Sequence, residues 1–362
     1  MAMKFSYFSN ADNTYRNNTR TVEELLLQIV DQAVYAEELG MHSAWIGEHH
    51  FNEFGTNASP EIMLGVVAAR TERIRLMPAV TVLPLHHPLR VAENWATVDV
   101  ISGGRVDFAC GRGFDKHEYD RFGVDFERNA ELLAEGLDIV HRAWTEEGRW
   151  SHDGAFFSFE DVEIVPKPVQ NPLPVYVACF SRPTVDMTCR RGFNMSIAPF
   201  AAGMSFGGVD KMIDYYRENC AANGHEPGIV NSSIFLHFGD TPEEEQAARE
   251  RQVRFFLENA LPTMRTASKA KTKSYDYWHD MADRVSRMKP EDLVSGMVLL
   301  GSTQAIADSV GRFAEMGIDE LGLYVNIGLK DPQRTREEMQ RFMEEVAPLF
   351  PEVGAGGRIA AE

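Results

Sequence analysis

Cysteine is scarce. The 362 residues include four, Cys110, Cys179, Cys189 and Cys220, with no CxxC spacing. Four are too few to staple a chain of this size, so neither a disulfide framework nor a structural zinc site is indicated, and a reducing cytoplasm is the expected compartment. Long apolar runs are also missing. No stretch approaches the roughly 20 apolar residues of a membrane helix, and Met1 to Phe8 lacks the apolar region of a signal peptide, so no membrane association is expected. Positive charge is in deficit, with 36 Lys and Arg against 54 Asp and Glu and a formal net charge of −18. Phosphate backbones and anionic membranes select basic surfaces, so nucleic acid is not an expected partner. No GxGxxG opens a βα unit, which argues against a Rossmann nicotinamide site.

What is present is the composition of a globular enzyme, 44% hydrophobic and 25% charged. Short apolar runs alternate with amphipathic segments. Eight runs read as strands: Lys4 to Phe8, Ser43 to Ile46, Ile74 to Val82, Arg105 to Cys110, Pro174 to Ala178, Asn194 to Ala198, Ser232 to Phe238 and Glu320 to Asn326. Helical spacing recurs over Val22–Leu39, Pro60–Ala69, Ala92–Val100, Ala130–Trp144, Asp210–Asn223, Pro242–Glu258, Thr303–Met316 and Arg334–Val346. Eight strands, each mostly followed by a helix, predict an α/β fold closed as a TIM (β/α)8 barrel, in one domain over residues 1–351 with a flexible tail at 352–362. Residues 148–172, rich in aromatics, Gly and Pro, read as a hairpin or extended loop. The polar segment 262–283 breaks the βα rhythm, as an active-site lid or a surface loop would.

Where the second strand gives out, the run Glu48-His49-His50-Phe51-Asn52-Glu53-Phe54-Gly55 sets two imidazoles among carboxylates. Barrel enzymes keep their chemistry at such strand ends. An imidazole that titrates near neutrality suits proton transfer, and adjacent side chains on extended backbone point opposite ways, so His49 and His50 are expected to diverge. After the fifth strand, Cys179-Phe180-Ser181-Arg182-Pro183-Thr184 enters a helix with two hydroxyls one turn apart, a pattern suited to holding a phosphate on helix N-terminal amides. Arg112 stands between Gly111 and Gly113 on the loop after the fourth strand, a spacing that by itself is weak evidence for any nucleotide.

Taken together with Leu83-Pro84-Leu85-His86-His87-Pro88-Leu89-Arg90, Gly103-Gly104-Arg105 and Phe122-Gly123-Val124-Asp125, these motifs resemble the bacterial luciferase-like flavin-dependent monooxygenases. The likeness runs from Lys4 to Phe350. It implies a TIM barrel with inserted loops that uses reduced flavin mononucleotide (FMNH2) and O2, activated as a flavin 4a-peroxide, to oxygenate a small apolar substrate, either an aldehyde or ketone or an aromatic. It also implies a separate flavin reductase and a homodimer or heterodimer with a related chain, through helices near Pro60–Ala69 and Ala92–Val100. By the same resemblance His49 matches the catalytic histidine. Arg112, Ser181 and Thr184 match the phosphate contacts, and Phe180 offers its backbone amide there. Ala79 and Val80 match a cis peptide against the flavin ring, while Phe114 and Ala178 match ring-lining groups. His86 and His87 take supporting roles, and Glu48, Glu53 and Glu93 are expected to orient groups or cap helices.

The match is not uniform. Gly111 stands where luciferase has a reactive cysteine and Phe180 where it has a carboxylate, and the second phosphate arginine falls near Ala130, with Arg128 within reach of a small shift. Three other readings share parts of the pattern. A deazaflavin (F420)-dependent dehydrogenase would keep the barrel, and a flavin-binding protein without catalysis would keep the cofactor site. A metal hydrolase would use His49 or His50 with His86 or His87, although diverging histidines and the lack of carboxylate ligand spacing speak against it.

Overall fold

Apolar residues at every second position of the first strand commit one face to the barrel interior and the other to the helices outside it. The computed structural model describes residues 3–51, 54–198, 205–268, 277–294 and 296–351; the expected tail at 352–362 lies outside them. In chain order the first half runs β1 (Lys4–Ser9), α1 (Val22–Glu38), β2 (Ser43–Ile46), α2 (Pro60–Arg70), β3 (Arg75–Pro78), β4 (Thr81–Val82), α3 (Pro88–Ser102), β5 (Phe108–Gly111), α4 (Lys116–Phe122) and α5 (Asn129–Thr145). A hairpin of β6 (Trp150–Asp153) and β7 (Ser158–Val162) follows, then β8 (Val175–Ala178), α6 (Arg182–Arg190), β9 (Asn194–Ile197), α7 (Val209–Ala222) and β10 (Val230–Phe238). The last part comprises α8 (Pro242–Arg254), α9 (Leu261–Ala267), α10 (Tyr277–Ser286), β11 (Val298–Gly301), α11 (Thr303–Glu315), β12 (Glu320–Tyr324) and α12 (Pro332–Arg341).

The main sheet is parallel throughout and runs β3-β2-β1-β12-β10-β9-β8-β5-β4. Its two ends, β3 and β4, are halves of one strand interrupted at Ala79-Val80. A parallel bridge between Leu76 and Val106 joins β3 to the start of β5, so the ring has the eight positions read from the sequence. The hairpin lies within 148–172 as expected. Three differences stand out. β11 pairs with the long β10 from Phe235↔Val298 to Phe238↔Gly301, a strand that the apolar pattern does not foresee. α4 lies between the fourth strand and the helix from Ala130, where no helix is expected from the sequence. Finally, α8 continues into a π-helical turn at Phe255–Ala260, which the α-helical period does not predict; Phe255 and Phe256 both face the cavity described below.

Two apolar layers result. Phe5, Ala44, Leu76, Phe108 and Val175 pack outward against the helices, while Phe8, Trp45, Met77, Ala109, Tyr176 and Tyr324 fill the barrel interior. A Cβ on Gly322 would lie 2.2 Å from the Trp45 ring, so only glycine on β12 admits that indole. At the opposite end of the barrel from the candidate site, the turn after α3 uses positive φ at Gly103 and Gly104 and delivers Arg105. The buried guanidinium uses all five donors: Nε on Ser102 O at 2.7 Å, Nη1 on Thr71 Oγ1 at 2.9 Å and Ile74 O at 3.0 Å, and Nη2 on Ala68 O at 2.9 Å and Thr71 O at 3.0 Å. The Gly-Gly-Arg motif is thus a helix stop and a clamp between two βα units. Removing it in R105A leaves buried carbonyls unpaired, and a loss of about 3 kcal/mol is expected in urea denaturation.

Candidate active site

β2 ends at Ile46, and the chain then folds back on itself: Asn57 donates to Gly47 O at 2.8 Å and accepts from His49 N at 2.9 Å. This loop carries the two histidines, and they diverge. His49 Nδ1 lies 3.0 Å from Glu118 Oε1, and the same oxygen accepts the His50 backbone N–H at 2.8 Å. A carboxylate only accepts, so His49 donates from Nδ1 and Nε2 is left as the ring's basic atom. His50 turns to Glu48, with Nε2 3.0 Å from Oε1, and His86 Nε2 reaches that oxygen at 2.6 Å. The second Glu48 oxygen accepts Val82 N–H at 3.2 Å.

Glu118 is the functional residue that motif reading missed. It sits on α4, where Asp115 caps the first turn through His117 N and Gly123 ends the helix at φ 69°. The signal was in the sequence: an Asp followed three residues later by a Glu, with a glycine stop, marks a helix start and end. Here the Glu turns to the histidines instead of back to its own cap. α4 also places the arginine, because Tyr119 donates its hydroxyl to Arg112 O.

Glu48 accepts from the His50 and His86 rings. Burial alone would raise its pKa, but the hydrogen bonds from His50 and His86 outweigh that and hold the carboxyl below its usual range. Burial would likewise depress His86, yet Glu48, with a smaller contribution from Glu61, leaves it raised. The expectation that no carboxylate meets the histidines at ligand spacing needs correcting, since the Glu48, His50 and His86 ligand atoms lie within 4.8 Å of one another. Their mutual hydrogen bonds already satisfy them.

The phosphate pattern also assembles. Ser181 is the N-cap of α6, its Oγ lies 3.1 Å from Thr184 Oγ1, and Arg112 Nη2 reaches it at 3.5 Å. One guanidinium and two hydroxyls therefore meet at the start of a nine-residue helix, which suits a phosphate dianion. Arg128 is not part of this cradle. It is exposed, 2.7 Å from Glu131 and stacked over Phe156.

Between the histidine and the cradle lies a cavity of about 530 Å³, within the range of cofactor and substrate sites. His49, Ala79, Val80, Arg112, Phe114, Ala178 and Phe180 all line it. The Ala79-Val80 peptide is cis. A Cβ on Gly111 would stand 3.0 Å from both Val80 Cγ2 and Ala178 Cβ, so a side chain there would press on this wall. Segment 262–283 contributes Met264 and Met281, with Arg284 just beyond it; residues 269–276, the Trp278 side chain and Phe200 lie outside the described residues. Phe8 lines the cavity, whereas Tyr15 is absent from its lining and gives its hydroxyl to Asp12. No helix among the described residues is long and apolar enough to cross a membrane.

Strand-end histidine, phosphate cradle and apolar cavity on a parallel barrel define a cofactor-dependent barrel enzyme. The family model for luciferase-like monooxygenases matches residues 3–320, and the chain belongs to that family. The oxygenase component of the flavin-dependent trigonelline monooxygenase of Acinetobacter baylyi is 24% identical over 97% of this chain and 96% of its own length. The alkanal monooxygenase alpha chain of Photobacterium leiognathi is 26% identical over 94% and 98%. Among solved structures, monooxygenase RslO1 from Streptomyces bottropensis superposes with a TM-score of 0.78 at 23% identity, covering 96% of this chain and 100% of that one. The oxygenating constituent of 3,6-diketocamphane monooxygenase from Pseudomonas putida, in complex with FMN, gives 0.77 at 19% over 98% and 100%. An F420-dependent secondary alcohol dehydrogenase gives 0.74 at 18% over 97% and 100%. These last three likenesses concern the fold.

The Glu48–His86 pair gives stability a defined pH window. The lowered carboxylate contributes above its ordinary value and loses that contribution as pH falls; the raised imidazole contributes below its ordinary value and loses it as pH rises. The stability difference between wild type and H86A is therefore expected to peak between about pH 4.5 and 6.5 and to shrink on either side, as urea midpoints across pH would show.

Proposed function

We propose that this chain is the cytoplasmic oxygenase of a two-component system, taking reduced FMN from a separate reductase and using O2 to oxygenate a small apolar aldehyde, ketone or aromatic substrate. The observation that carries the reading is the convergence of Arg112, Ser181 and Thr184 at the start of α6, one cavity away from His49. Two relatives named as flavin-dependent and alkanal monooxygenases, one of them an oxygenase component, support it. The four cysteines are buried and free, as a reducing compartment allows.

Bound reduced FMN supplies the electrons that activate O2. The chain does the rest. Arg112, Ser181, Thr184 and the Phe180 amide would hold the phosphate, while Ala79, Val80, Phe114 and Ala178 would line the space for the ring. Phe54, Phe255 and Met264 keep water from the reacting centre. His49, oriented by Glu118, moves a proton at Nε2.

The test is anaerobic titration with reduced FMN, riboflavin and F420, followed by oxygen and a panel of aldehydes, ketones and aromatic acids. FMN is expected to bind more tightly than riboflavin by about 10- to 100-fold, with R112A erasing the preference. H49A is expected to keep FMN affinity and to lose about 100-fold in product, oxygen going to hydrogen peroxide instead. Preferred F420 binding with no oxygen consumption would establish the dehydrogenase, and FMN binding without turnover a carrier.

The proposal includes a dimer through α2 and α3. Ile62 and Val66 on α2 and Val100 and Ile101 on α3 are exposed apolar residues on adjoining helices, and clustered exposure of this kind marks association surfaces. I62D is expected to shift the sedimentation coefficient from dimer to monomer.

A further inference from the structure

His49 leaves one need unmet. Its side chain is 11% exposed and its Nδ1 is committed to Glu118, so once Nε2 has exchanged a proton with the reacting groups, the ring has little solvent from which to reload. On the oxygenase reading, the overall balance is substrate plus O2 plus the reduced flavin anion plus one proton, giving oxygenated substrate, oxidised flavin and water. The flavin provides both electrons, and a proton must enter an apolar cavity.

One wall residue bridges inside and outside. Glu48 lines the cavity and is 1% exposed at its side chain, while His86, hydrogen-bonded to it at 2.6 Å, is 30% exposed. We propose that His86 and Glu48 form a proton inlet: His86 takes a proton from solvent at its exposed ring, passes the Nε2 proton to Glu48, and Glu48 delivers it to the cavity. The inlet rests on the oxygenase reading. Among the described residues, Glu48, Glu61 and the His50 ring at 5.9 Å face His86. The two carboxylates hold it protonated beyond the usual imidazole range against the pull of burial. Glu48 is held in place for delivery, with His50 on one oxygen and Val82 N–H on the other. A purely structural link to Val82 would need the carboxylate but not a titrating, half-buried ring. Both residues act through the hydrogen bond they share, and His49 remains the residue at the reacting centre.

The experiment has two arms. In flavin-free protein, ¹⁵N-histidine NMR is expected to show His86 titrating above its ordinary pH in wild type and at lower pH in E48Q. An unchanged titration would overturn the inlet whatever the enzyme's reaction proves to be. In turnover with reduced FMN, H86A and H86Q are expected to fall about 100-fold at pH 8. They should keep FMN affinity within about two-fold, and added imidazole should restore H86A. H86Q at the wild-type rate with an unchanged pH profile would overturn the proposal, as would a stoichiometric zinc ion held by Glu48, His50 and His86. Wild type that binds FMN and gives no oxygenated product would defeat the oxygenase reading instead, and the NMR arm distinguishes the two failures.

Discussion

A single buried carboxylate oxygen, Glu118 Oε1, accepts both the Nδ1 proton of His49 and the backbone N–H of His50. Much of the site follows from that double contact. Without it the loop after β2 has a buried amide with no acceptor and an imidazole free to rotate. With it, His49 is fixed in one tautomer at the cavity wall and His50 is turned away to Glu48. The element that supplies Glu118 also supplies Tyr119, which fixes the Arg112 carbonyl. A seven-residue helix therefore fixes both the His49 ring and the Arg112 carbonyl, and both residues line the cavity.

The barrel explains why these contacts fall where they do. Gly47, Ala79, Arg112, Phe180 and Ile327 all lie just beyond the C-terminal ends of parallel strands, so the loops share one face. The opposite face carries the Arg105 clamp, whose five hydrogen bonds tie βα units together and touch nothing reactive. Stability and chemistry are thus separated along the barrel axis. The interior between them is filled by Trp45, which enters only because β12 has a glycine opposite it.

Val80, Ala178 and Phe180 share the cavity wall with Arg112. Gly111 leaves room beside them, since a Cβ there would stand 3.0 Å from Val80 Cγ2 and Ala178 Cβ, closer than ordinary van der Waals contact. Arg128 is engaged by Glu131 and Phe156, so one arginine serves the cradle among the described residues.

Local physics made much of this legible in the sequence. Alternating and continuous apolar runs define all eight barrel strands, and caps and glycine stops bound most of the helices, because both signals depend on neighbours a few residues away. His49, Arg112, Ser181 and Thr184 were visible as residue types at strand ends. The tertiary structure decided the rest. Glu118 meets His49 across 69 positions and His86 meets Glu48 across 38, and no period in the chain encodes such meetings. β11 is similarly silent, since a four-residue apolar run becomes a strand only when β10 extends far enough to pair with it. The chain's local chemistry determines which elements form; the closure of the barrel determines which of their ends share a cavity, and hence which carboxylate orients which histidine.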